Sequence, residues 1–225
     1  SSLKGAVRGI ASAISGGCIK PEKDVFLPEK IENIKCYAIK KDDKIESEKC
    51  IVCDVFGMIS YASKVSFSDF VSEGLNTQEE KINQQFSPNV KSPKYKDESN
   101  RYHKGYKFYK NDCEEYSLDE KLNVETVKKG TVFEGKISFK RLETEQLQLL
   151  LFSLGLDESF NMKIGGFKND GYGQIKTEAI SFKINGDGNI KEENVKKYVN
   201  KYTQGYGEKY SASIQKLREI LKPEM

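Results

Sequence analysis

The 225-residue chain has no apolar run near the roughly 20 residues a membrane-spanning helix requires, and no signal-type apolar core opens it. A soluble, cytoplasmic protein without a membrane partner is expected. Histidine is almost absent: any Ser-His-Asp or Cys-His arrangement would have to use His103, which lies among lysines in the least regular part of the chain, a poor place for a preorganised base. Net charge is also scarce, since 37 Lys+Arg against 34 Asp+Glu leave +3, so a case for a polyanionic ligand must rest on local clustering. Cysteine is sparse and unpaired in number. Cys18, Cys36, Cys50, Cys53 and Cys113 form an odd set without the spacing of a secreted disulfide scaffold, which suits a reducing compartment. There is no helix-opening dinucleotide fingerprint and no glycine run closing on Lys-Ser/Thr, so a nucleotide-dependent enzyme is the weaker reading. With 32% charged residues and a mean hydropathy of −0.64, the chain has a well-solvated surface and enough length to bury a core.

The most informative segment present is Gly165-Gly166-Phe167-Lys168-Asn169-Asp170-Gly171-Tyr172-Gly173-Gln174-Ile175. Glycine lacks Cβ, so such a turn can take positive φ and bring its amides close to a phosphate backbone. A tight strand-to-strand turn with no ligand is the plainer alternative.

The spacing Leu3, Ala6, Val7, Ile10, Ala13, Ile14 predicts a first helix, with Ser2 as its cap and Gly16-Gly17 as its stop. Lys4 and Arg8 lie four apart on another face, where solvation or phosphate contact would both satisfy them. Residues 20–33 are irregular, with Pro21 and Pro28; a short strand is expected over Ile34–Ile39 and another over Lys64–Phe70. From about 73 to 130 periodicity is poor, and the segment reads as an insertion or extended loop. Phe133, Ile137 and Phe139 predict a strand face. Thr144 is expected to cap a helix carrying Leu147, Leu150, Leu151 and Leu154, and Gln174–Ile184 is read as a strand, followed by a turn at 185–188 and C-terminal helices within about 191–222. The order predicts one α+β domain over 1–225, with an antiparallel sheet whose helices cover one face. An upstream strand would complete a ferredoxin-like β-α-β-β-α-β unit, the framework of RNA-recognition motifs.

Within the insertion, Pro88–Lys110 holds seven Lys or Arg against two acids, interleaved with Tyr95, Tyr102, Tyr106, Phe108 and Tyr109. Cations there, Arg101, Lys104 and Lys107 among them, would neutralise phosphates while aromatic faces stack on unpaired bases for roughly 1–3 kcal/mol each. RNA contact or solvent exposure is the expectation for His103 as well. Packed tyrosines and wet lysines are the alternative. Cys50-x-x-Cys53 has half the spacing of a zinc site, which Cys36 or Cys18 could complete; two buried structural thiols would leave the same signature.

Ser1-Ser2-Leu3-Lys4-Gly5 opening a helix, Cys53-Asp54-Val55-Phe56-Gly57 followed by Ser63–Asp69, the strand-helix pair Phe133–Leu156 and the loop Gly165–Gly173 together resemble the RAMP superfamily of CRISPR effector complexes, type III-like in particular. The resemblance implies a modified RRM-like fold, other effector subunits as partners, and a role in holding guide or target RNA. By it Ser2, Lys4, Arg8 and Lys168 would face RNA, and the backbone of Gly165, Gly166, Gly171 and Gly173 would allow close approach. Family proteins that cut target RNA are expected to carry an aspartate upstream of the Ser-Ser-Leu-Lys-Gly helix. The sequence starts at that helix, at Ser1 rather than Met, as though its natural beginning were not represented, and Asp54, Asp69 and Asp170 do not occupy that place. The expectation is therefore a non-catalytic RNA-binding subunit. A metal-dependent endoribonuclease and a protein-interaction module are the alternatives.

Overall fold

The computed structural model describes residues 2–18, 36–41, 44–74, 76–85, 106–111, 120–186, 189–205 and 207–223. Helix α1 (Ser2–Ser15) forms where the apolar spacing places it, and Val7, Ile10, Ala11 and Ile14 are fully buried on one stripe. Gly16, at φ 62, turns the chain out of the helix. Strands β1 (Tyr37–Lys41) and β2 (Lys44–Glu48) form a hairpin. Residues 34–35, the start of the expected first strand, lie outside the described residues. Helix α2 (Ile51–Phe56) follows, then β3 (Val65–Phe67), β4 (Thr77–Asn83), β5 (Lys121–Val127) and β6 (Ile137–Phe139).

Helix α3 (Thr144–Ser153) is the centre of the molecule, with every residue from Gln146 to Ser153 buried, as a run with apolar residues on all sides demands. It packs on α1, on α2 and on α4 (Val195–Gly205), and α5 (Gly207–Ile220) packs on α1 and α4. The Phe152 ring stands 5.6 Å from Phe160 and 5.2 Å from Tyr202, whose hydroxyl donates to the Ile14 carbonyl. Strands β7 (Met162–Lys163) and β8 (Gln174–Ile175) bracket the glycine loop, and β9 (Lys183–Gly186) with β10 (Asn189–Glu192) forms the last hairpin.

Several expectations are corrected. Strand pairing among the described residues is divided into five two-stranded antiparallel ladders, where one sheet was expected. The Phe133 side chain is 47% exposed and lies before β6, so the strand face reduces to Ile137 and Phe139. The helix α3 cap is Glu143, with Thr144 already helical; the Glu143 amide donates to the Gln146 side chain at 3.2 Å, as in a capping box. Of the strand expected over Gln174–Ile184, only the two residues of β8 and the start of β9 are paired, and Ile180 between them is 85% exposed.

The expected loop over 73–130 contains the ladder β4–β5, and its register continues that of β3–β6. Val65 pairs with Phe139, Val71 with Glu134, Thr77 with Val127 and Asn83 with Lys121. The ring of Phe70 occupies the space beside Gly135, where a Cβ would come within 2.6 Å of it, and the ladder breaks there before resuming at Val71. One interrupted antiparallel arm thus leaves the core at β3–β6 and carries β4–β5 outward.

Candidate nucleic-acid interface and metal centre

Four cysteines from three segments converge. Cys18 follows the turn after α1, Cys36 precedes β1, Cys50 caps α2 and Cys53 sits in its first turn, and their sulfurs all lie within 4.8 Å of one another. The i, i+3 spacing on a helix start puts Cys50 and Cys53 on one side, which is why a C-x-x-C pair works as half a metal site. Backbone amides point at the sulfurs: Cys50 N–H donates to Cys36 Sγ at 3.0 Å, Cys53 N–H to Cys50 Sγ at 3.4 Å, and Cys18 N–H to Cys50 Sγ at 3.5 Å. The Cys18 and Cys53 sulfurs are 3.3 Å apart.

Burial pushes the Cys18 thiol well above its ordinary range and Cys53 up to about 11. Burial acts the same way on Cys50, but the amides of Cys18 and Cys53 outweigh it and hold that thiol below its usual value. A tetrahedral ion with metal–sulfur bonds of about 2.3 Å spaces its ligands by roughly 3.8 Å, so the cluster fits a divalent cation with small adjustment. The structure brings together Cys36, Cys50, Cys53 and Cys18. Cys113 lies outside the described residues.

The cations of α1 face this region. Arg8 Nη1 donates to the Gly57 carbonyl at 2.8 Å and Nη2 to Cys53 Sγ at 3.4 Å. Lys4, one turn earlier, donates to Ser63 Oγ at 2.9 Å and the Val65 carbonyl at 3.1 Å; burial first, then the neighbouring Arg8 charge, lowers its pKa. Both side chains therefore seat α1 on the segment from α2 to β3.

Asp54 is the hub of a second network. Its carboxylate accepts from Lys64 Nζ at 2.7 Å, Gln146 Nε2 at 2.6 Å and Tyr61 OH at 2.8 Å, joining α2, the turn that leads into β3, and α3. Burial opposes ionisation, yet the bonds from Lys64, Tyr61 and Gln146 win and hold the carboxyl below its ordinary range. Asp69 is exposed beyond β3, and Asp170 lies in the glycine loop, so the three aspartates occupy separate elements.

The glycine loop is a wide turn closed at its neck. Ile164 N–H donates to the Gly173 carbonyl at 2.8 Å, and a Cβ on Gly173, at φ 82, would meet the Ile164 oxygen at 1.9 Å. Gly173 is thus required by the turn itself. Gly166 has no positive φ, and a Cβ there would find no atom within 4 Å among the described residues, so none of them calls for glycine at this position. Gly165 and Gly166 are exposed, Gly171 half-buried. Lys163, 8% exposed beneath the loop, donates to the carbonyls of Lys168 (3.0 Å) and Lys110, and Lys168 Nζ turns onto the Gly165 carbonyl. Phe167, held at φ 50, stands edge-on to Tyr172 with centroids 6.4 Å apart.

The outer arm rests against this loop. Tyr172 OH donates to the Glu80 carboxylate, and Gln85 Nε2 donates to Asp170 Oδ2 at 2.8 Å. Burial first, then Glu80, pushes the Tyr172 hydroxyl up to about 12. Lys107 is exposed, its ammonium 4.7 Å from the Tyr109 ring centre. Arg101, Lys104 and His103 lie outside the described residues, and α1 begins at Ser2.

Sequence reasoning missed the Arg8–Cys53 contact, the Asp54 hub and the arm-to-loop contacts. One clue was available: Gln146 and Gln148 are polar residues within a leucine run, and buried polar groups need partners.

The arrangement is that of a mixed helix and strand protein with a thiol-rich knuckle on one side and an open glycine turn on another. The chain belongs to the RAMP superfamily, whose family model matches residues 1–176, and so to the subunits of CRISPR effector complexes. No curated relative matches the chain. Among the described residues no helix is long and apolar enough to cross a membrane.

Proposed function

We propose that this chain is a cytoplasmic RNA-binding subunit of a CRISPR ribonucleoprotein effector in antiviral defence, holding guide or target RNA by backbone contacts at the Gly165–Gly173 loop beside other effector subunits. The observation that carries this reading is Gly166, an exposed glycine without a positive φ and without a close neighbour among the described residues, since a site that must admit a sugar-phosphate chain supplies a reason for it. Lys168 and Lys163 place positive charge at the same turn, and the segment 106–111 adds Lys107 with its aromatic neighbour Tyr109. The order α1, β3, β6, α3, β7 follows the last five elements of a β-α-β-β-α-β unit, which supports an RRM-like core within a single domain, with the arm as its insertion. The four cysteines are read as a structural zinc site that staples α1, α2 and β1.

Filter binding of single-stranded RNA to the full chain tests this. The account predicts retention at low ionic strength, with log K falling linearly against log salt, and Lys168→Ala reducing that slope by about 1. Absence of retention at low salt, in folded protein, overturns it.

A further inference from the structure

We infer that Arg8 belongs to the cysteine centre as the outer-sphere partner of the Cys53 thiolate, and that metal loading thereby sets the seat of helix α1 on α2. The inference rests on the metal reading above. Four thiolates around a divalent ion carry a net charge of about −2 in a site where Cys53 is 2% exposed and the other three sulfurs are half-buried. The three amide donors to sulfur spread that charge but do not neutralise it. The Arg8 guanidinium does both, with Nη2 at 3.4 Å from Cys53 Sγ. Its other arm, Nη1, is committed to the carbonyl of Gly57, which closes the C-terminus of α2. A planar fork can hold a sulfur and a carbonyl together; an ammonium is a point charge and does not hold two acceptors in fixed relation.

The consequence is mechanical. Cys18 ties the chain just beyond the C-terminal end of α1 to the centre, and Arg8 ties the middle of the helix to it, so α1 is gripped at two points by one ion and its shell. Thiols in place of a metal-bound thiolate leave Arg8 opposite a weak neutral acceptor, and the inner grip slackens. The helix positioned in this way carries Lys4 onto Ser63 and Val65, so the grip reaches the start of β3 as well.

The test uses cobalt(II) as the probe, with the full chain, in wild type, Arg8→Gln and Arg8→Lys. Three quantities are measured: cobalt affinity by chelator competition, the thiolate-to-cobalt charge-transfer band, and hydrogen exchange of the α1 amides with and without metal. Arg8→Gln is expected to weaken cobalt binding roughly 10- to 100-fold, to shift the band, and to abolish the metal-dependent protection of α1. Arg8→Lys should recover part of the affinity but not the protection. Wild-type affinity and an unmoved band in folded Arg8→Gln overturn the inference. Should that variant fail to fold, an Arg8→Lys protein matching wild type in affinity, band and protection overturns it equally. A wild-type chain that gives no four-thiolate cobalt spectrum removes the metal reading itself, and this inference with it; normal binding indifferent to Arg8 removes only the inference.

Discussion

The two kinds of glycine in the 165–173 loop separate folding from function at single residues. Gly173→Ala forces a Cβ onto the Ile164 oxygen at a positive φ and is expected to destabilise the fold by about 2–4 kcal/mol in denaturant unfolding. Gly166→Ala meets nothing and should leave the unfolding midpoint unchanged while weakening RNA binding. Asp54 gives a pH signature. Its folded pKa lies below the unfolded value of 3.8, so the stability it contributes is complete above that pH and disappears as pH falls through the folded value. Asp54→Ala, which strips Lys64 and Gln146 of their shared acceptor, should cost roughly 2–4 kcal/mol near neutrality, and urea titrations should show the gap from wild type closing in acid. The loop was legible as a glycine turn able to take positive φ, but not which glycine the fold itself requires, and the Asp54 hub was not legible because its partner Gln146 lies 92 residues away in the chain.

Among the elements, the helices were readable and the arm was not. Helix α1 buries a periodic stripe, α3 follows a leucine run, and α4 and α5 follow the amphipathic patterns Val195–Tyr202 and Tyr210–Leu221, with α4 ending and α5 starting three residues outside them. The arm strands Thr77–Asn83 and Lys121–Val127 are mostly exposed on both faces, with Ile82 the buried exception, and strands without a buried face leave no alternation to detect. The opposite error arose at Ile175, Thr177 and Ala179, where alternation is present but, among the described residues, strand pairing stops with β8. Helix α2 is six residues long, too short for a period, and its start is fixed by Cys50. The arm's contacts with the glycine loop predict a graded effect: Tyr172→Phe removes the bond to Glu80 but keeps the ring, and RNA affinity should fall only about two- to five-fold, against a larger loss for Tyr172→Ala, in side-by-side filter binding.

For the whole molecule, stability is assigned both to the helical core and to the proposed metal at the cysteine centre. Leu149→Ala in fully buried α3 should cost roughly 2–5 kcal/mol. Stripping metal with a chelator should lower the melting temperature and loosen the segment joining α1, α2 and β1, with less effect on the α3–α4 contact. The thiol pair 50 and 53 was visible as a motif, but its partners at 18 and 36 could be named only as options, because the chain between them gives no spacing rule. Ultraviolet crosslinking of bound single-stranded RNA to the full chain, with the crosslinked peptides identified by mass spectrometry, examines the central claim most directly. The account predicts adducts on the 165–173 loop, at Phe167 and Tyr172 above all; adducts confined to the α4–α5 side, with the loop unmarked, would contradict it.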